Sequence, residues 1–465
     1  MGVSSVGVTM LLLLRFSPRY PRTASWIPTC PSSSRSQSRR RRILNKEGIK
    51  NVVRNSSSSS KVTSSATIGT GFGSRAAQQA LADPFLRRFR IGGFELESGE
   101  VLPPNAELAY RVYSQNDEDG GSVWESSSSK KKKGIILHPT SFDAVHTELE
   151  YQIGPGNTLD TNQYTVIVPN MLGNGVSFSP STMAKDETPG SFPHVTVGDN
   201  VRLQKKLLQE GLGYQNHPDF DVDNKSLPFG LRLIYGYSMG ALQAYEWSMR
   251  YPESVEGIAV VCGASHCSEI NEVFLSSLEA ALKADPSWCK RKGMFVRHPV
   301  GGLRAFATIY AGWGVGTSYY ANKSYMESGY RSADDFVKNS YIPAFQNADA
   351  NDLLAQIRTW KTANTSLRST SKEDHNLQGA LMEGTIQADV LLMPCDTDRY
   401  FTIEASQREA DLLMERRPPS SRVLFRPIRS TSGHRAGDPH RPELTTERDH
   451  IRTNVHEFLA LLERK

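Results

Sequence analysis

The residues of this chain whose types and spacing could do chemistry together are Ser238, Asp398 and His434. Ser238 stands in Gly236-Tyr237-Ser238-Met239-Gly240, directly after the apolar run Leu231–Tyr235 and directly before ALQAYEWSMRYP. A serine hydroxyl is a poor nucleophile until a base removes its proton. A sharp strand-to-helix turn flanked by glycines lifts such a hydroxyl clear of a sheet and lets the neighbouring backbones pass closely. An orienting acid and the base should then follow, in the order serine, acid, histidine, on loops after later strands. VLLMPC is followed by Asp396-Thr397-Asp398, and VLFRPI by Ser432-Gly433-His434. Asp398 is expected as the acid, with Asp396 as its alternative, and His434 as the base ahead of the neighbouring His440. The chemistry of such a set is acyl transfer through a covalent acyl-serine. Its tetrahedral intermediate needs two donors aimed at the developing oxyanion. The backbone N–H of Met239 is expected as one, and that of Thr140, in the loop after Leu137, as the other.

These groups need a sheet to hold them. Ile135–Leu137, Tyr164–Val168, Leu231–Tyr235, the run VEGIAVVCGA, Ala388–Cys395 and SRVLFRPI read as short apolar strands. Helical patterns fall over 195–211, over ALQAYEWSMRYP, over 403–415 and over 449–462. Apolar strands alternating with helices predict an α/β fold, a mostly parallel sheet covered on both faces. Further strand-like runs lie at Gly93–Leu96 and Ala106–Tyr113, and 115–133 is a polar, low-complexity loop. Residues 267–384 carry helical or irregular patterns, many aromatics and no clear strand. The expected organisation is a leader over 1–88, a core over 89–266 and 385–465, and a helical lid inserted over 267–384. Arg304, Tyr310 and Trp313 in that insertion are candidate substrate contacts, or else residues of the insertion's own surface and core.

The formal charge of +5 does not describe the folded body. Residues 1–65 hold twelve Lys or Arg against one acid, Glu47, which leaves 42 basic and 48 acidic residues for the remainder. That balance does not suggest a nucleic-acid-binding surface on the catalytic part. The Ser- and Arg-rich start reads as targeting sequence, a mitochondrial or plastid transit peptide, with a cytoplasmic location as the alternative. No run of 18 apolar residues suggests a membrane-spanning helix. Five cysteines without close CxxC spacing read as mostly reduced, and no set of residues suggests a metal site.

Several ordered segments then carry a resemblance. LAYRVYS, HPTSF, IGPGNTLDTNQYTVIVPNMLGNG, FPHVTVGDNV, YGYSMGALQAYEWSMRYPESVEGIAVVCGAS, TDRYF and SGHRAG together resemble the homoserine O-acetyltransferase family of α/β-hydrolases over roughly 90–465. The resemblance implies an α/β-hydrolase fold, with the nucleophile at Ser238, the acid at Asp398, the base at His434 and an oxyanion amide near Thr140. It implies an acyl-CoA such as acetyl-CoA as co-substrate, with no tightly bound cofactor, and a small hydroxyl acceptor held beneath a lid. It also implies a homodimer formed through that lid. The chain departs from the homoserine-specific members after the base, where it reads HRAGDPH instead of an acidic residue followed by an aromatic. Two activities stay open: O-acyl transfer from acyl-CoA, and hydrolysis of esters by the same acyl-serine.

Overall fold

Eight apolar or amphipathic segments pair into one sheet. The computed structural model describes residues 75–114, 132–184, 188–213, 231–363, 386–416 and 421–464. The expected leader over 1–74 and nearly all of the polar loop over 115–133 lie outside the described residues. The strands are β1 (Arg87–Arg90), β2 (Glu107–Tyr113), β3 (Ile135–Leu137), the two-residue β4 (Ile153–Gly154) and β5 (Leu159–Asp160), β6 (Thr165–Pro169), β7 (Leu231–Tyr237), β8 (Gly257–Val261), the two-residue β9 (Trp288–Cys289) and β10 (Met294–Phe295), β11 (Asp389–Met393) and β12 (Val423–Phe425). The main sheet runs β1-β2-β6-β3-β7-β8-β11-β12. β1 and β2 run antiparallel to their neighbours, and all pairings from β6 to β12 are parallel.

Period-two alternation divides each strand between two apolar layers. Ile135, Leu137, Ile258, Val260, Val390 and Leu392 pack in one with residues of α2 (Val197–Lys206), α3 (Met239–Arg250) and the helix Ile403–Arg416. Ile136, Ala259, Val261, Leu391 and Met393 pack in the other with Val455, Phe458 and Leu459 of the last helix, Thr445–Leu462. Both faces are thus covered, which is why the strands read as unbroken apolar runs.

Between β8 and β11 the described chain is mainly helical: α4 (Glu269–Lys283), α5 (Val300–Trp313), α6 (Thr317–Ala321), α7 (Ala333–Phe336), α8 (Ile342–Phe345) and α9 (Ala350–Lys361). The later helices are then α10 (Ile403–Arg416) and α11 (Thr445–Leu462). The insertion's Phe274, Phe306, Phe336 and Trp360 form one apolar cluster with Phe142, Met239, Tyr400 and Phe401 from outside it.

Three expectations need correction. Residues 75–88 do not belong to a leader: α1 (Arg75–Leu81) buries Ala77 and Ala80 against Ala109, Val145 and Val176, and β1 begins at Arg87. Gly93–Leu96 forms no strand, only an isolated bridge between Glu95 and Val101. The insertion does contain strand, since β9 and β10 pair antiparallel.

Candidate active site

Ser238 terminates β7 and caps α3. Its backbone stands at φ 54° and ψ −122°, a conformation that costs a non-glycine residue about 1–3 kcal/mol. The turn is fixed on all sides. Ser238 donates its N–H to Val261 O at 3.1 Å, and Ala241 donates back to Ser238 O at 2.9 Å. A Cβ on Gly240 would stand 2.9 Å from Pro139 O, so the loop after β3 passes directly over the turn.

Asp398 and His434, the expected acid and base, sit after β11 and β12, at the same carboxyl-terminal edge as Ser238, where open α/β sheets bind ligands. His434 Nδ1 and Asp398 Oδ2 are 2.7 Å apart, and both side chains are buried. A carboxylate only accepts, so Nδ1 carries the proton and Nε2 is left as the basic nitrogen. The other carboxylate oxygen, Asp398 Oδ1, accepts the N–H groups of Tyr400 and Phe401 at 3.1 and 3.2 Å. Asp396 is occupied elsewhere: it accepts from Ser430 N at 3.1 Å and pairs with Arg429 at 3.3 Å. The imidazole lies among aromatic rings, with Tyr400 at 4.3 Å and Tyr237 stacked at 4.9 Å between centroids. Tyr237 also donates its hydroxyl to His434 O at 3.2 Å. Gly433 precedes the base at φ 60°, and a Cβ there would stand 2.6 Å from Gly316 N. The motif SGH needs its glycine because the insertion passes this close.

Ser238 and His434 line one cavity of about 410 Å³. Its walls include Phe142, Tyr310, Tyr341 and Phe345. Of the three insertion residues singled out as substrate contacts, Tyr310 alone is in that wall. Arg304 is exposed on α5. Trp313 packs on Phe274 at 5.0 Å and lies beneath the Arg399 guanidinium, also at 5.0 Å. His440 lies at the cavity rim, half exposed and 3.1 Å from Asp438, away from Asp398.

The amide of Met239, in the first turn of α3, has no acceptor within its helix and stands next to Ser238. Thr140 is different. Its N–H goes to Pro169 O at 3.3 Å, its Oγ1 accepts from Met171 N at 2.9 Å, and its carbonyl accepts from Gln243 at 3.0 Å. With those groups committed, Thr140 is a fixed support and not the second oxyanion donor. The residues that reach the cavity are the next two, Ser141 and Phe142. Nothing in the local sequence marks that offset, because it depends on pairing with distant Pro169.

His138, two residues before Thr140, serves the same loop from below. It is buried, with Nδ1–H donating to Tyr235 O at 2.9 Å and Nε2 accepting from Gln152 at 2.8 Å. The bond to Nε2 requires the neutral ring, and burial pushes its pKa down to about 4.

No family model matches the chain. It is 30% identical over 347 residues to an ethyl acetate hydrolase of Pseudomonas veronii, a match spanning 74% of this chain and 87% of that protein. It is 27% identical over 357 residues to a homoserine O-acetyltransferase of Natronomonas pharaonis, spanning 70% and 82%. Among solved structures, an acetyl esterase superposes with a TM-score of 0.67 at 28% identity, covering 81% of this chain and 96% of its own. The sheet order and these likenesses define an α/β-hydrolase of the kind that hydrolyses esters or transfers acyl groups. Within that class the chain belongs to the homoserine O-acetyltransferase family, on a side branch that includes esterases.

Proposed function

We propose that the chain is a serine esterase of short-chain acyl esters, working through an acyl-Ser238 intermediate. The observation that carries this reading is the convergence of Ser238, on a strained turn, and His434, paired at 2.7 Å with Asp398, on one small cavity. His434 Nε2 takes the Ser238 proton as Oγ attacks the ester carbonyl. Negative charge on the former carbonyl oxygen falls to the Met239 amide and to the Ser141–Phe142 stretch. Collapse expels the alcohol, which leaves with the proton from His434. Water then gives a proton to His434 as it attacks the acyl-serine, and collapse expels Ser238 Oγ, which takes that proton back as the acid is released. Asp398 holds the ring and stabilises its charged form throughout.

A cavity of about 410 Å³ accommodates a short acyl group with a small alcohol, whereas the nucleotide half of CoA would have to lie outside it. The Pseudomonas veronii relative, named for ethyl acetate, supports the same reading. A second reading is acyl transfer from an acyl-CoA to a small hydroxyl acceptor, favoured by kinship with the homoserine O-acetyltransferases. The two differ in the acyl donor, ester or thioester, and in what resolves the acyl-serine.

The deciding assay incubates the full chain with ethyl acetate, and separately with acetyl-CoA with and without homoserine or serine. A Ser238→Ala control runs beside each. Acceptor-independent release of acetate from the ester, lost in the control, is the expected result. CoA release that requires an acceptor and yields an O-acetylated amino acid would replace the esterase reading with the transferase one.

A further inference from the structure

Asp143 is not used by the mechanism above, and its placement is costly. It follows the Ser141–Phe142 stretch in the loop after β3, and its backbone stands at φ 54°. An aspartate in the left-handed region is usually stabilised by a local bond from its own side chain. Here the backbone is held from outside: the Asp143 N–H donates to Gln356 Oε1 on α9 at 2.8 Å. Among the described residues no hydrogen bond reaches its carboxyl oxygens. The side chain is half-buried in the wall of the Ser238 cavity, with Glu148 and Tyr310 lining the same space.

A polar group held at such a place without a protein partner is destabilising unless a ligand or water completes it. Burial and the neighbouring Glu148 push its carboxyl well above the usual range, which favours the protonated form, the one able to donate as well as accept. Hydroxyl groups, which donate as well as accept, recur along the wall at Thr147, Ser340 and Tyr341. Such a lining matches hydroxyl groups on a substrate better than a bare alkyl chain.

We propose that Asp143 is a specificity-determining residue that hydrogen-bonds a hydroxyl of the substrate, so that the favoured substrates are short acyl esters bearing a free hydroxyl. This rests on the esterase reading of the same cavity.

The test compares kcat/KM for ethyl acetate, 2-hydroxyethyl acetate and ethyl glycolate, the last two placing a hydroxyl on the alcohol or the acyl side. Asp143→Gly removes the carboxyl and relaxes the backbone. Asp143→Asn keeps a hydrogen-bonding isostere that tolerates positive φ. The wild type is expected to prefer one hydroxylated ester, and Asp143→Gly to shrink that preference about tenfold, mainly through KM. Asp143→Asn is expected to retain most of it. An equal fall for all three esters in Asp143→Gly, or an unchanged preference, would overturn the proposal. Should no ester be turned over, the esterase reading is what fails. Binding of 2-hydroxyethyl acetate against ethyl acetate to Ser238→Ala protein, with and without Asp143→Gly, then decides Asp143 separately: equal weakening of both ligands sinks it.

Discussion

At the scale of single residues, two aspartates two positions apart divide the work. Asp398 points one oxygen at His434 and the other at two backbone amides, whereas Asp396 ties down the Arg429–Ser430 stretch. Replacing Asp398 with Asn keeps the shape but reverses the hydrogen-bond demand on Nδ1, which forces the wrong imidazole tautomer. A fall in kcat of roughly 10⁴-fold is expected, as for the equivalent change in other serine triads. Asp396→Asn should instead cost stability, about 1 kcal/mol from one weakened charge-assisted bond, and leave kcat within a few-fold. Steady-state kinetics of the two variants side by side checks both. Gly433→Ala is a third case: with φ 60° and the Gly316 amide 2.6 Å from the added methyl, the His434 loop must shift. The expected result is a loss of kcat larger than the loss of thermal stability.

At the scale of elements, the apolar strands were legible because burial on both faces leaves no polar alternation to confuse the pattern. β3, β7 and β11 fall where their sequences place them. β1, reading RRFR on the sheet edge, carries no such run, and two-residue strands such as β9 and β10 are too short to leave a signal. The turn at Ser238 and the loops that carry Asp398 and His434 were legible as motifs. The rings around His434 were not, because Tyr237 and Tyr400 meet it only through tertiary packing. The loop after β3 has a pH-dependent support in His138. The unfolded chain binds a proton there near pH 6.5, while the folded chain resists it down to about 4. This group therefore costs nothing above pH 6.5, and stability falls as the pH drops through that window, by about 3 kcal/mol at its lower end. A His138→Gln variant lacks this slope. Its melting temperature should lie below wild type at pH 7.5, and the gap should narrow towards pH 4.5. Parallel profiles would mean that His138 does not titrate as described.

At the scale of the whole molecule, the insertion's aromatic core is continuous with the site. Trp360 is fully buried on α9, stacked on Phe401 at 5.6 Å and edge-on to Tyr400 at 6.0 Å. Tyr400 in turn lies against His434. Trp360→Ala should cost about 3–5 kcal/mol as an unfilled cavity, seen as a melting temperature lower by several degrees. Because the packing behind Tyr400 loosens with it, kcat should fall as well. No helix among the described residues is long and apolar enough to cross a membrane. Ser238, Asp398 and His434 hang from β7, β11 and β12, while Tyr310, Tyr341 and Phe345 arrive on helices spliced between β8 and β11. Bond making and part of the cavity wall are therefore encoded in separable stretches, whereas Asp143 and the rest of the wall stay with the core. A relative's helical cassette grafted in its place, with its packing against Gly433 and Tyr400 kept, should import the part of that relative's substrate preference that its helices carry.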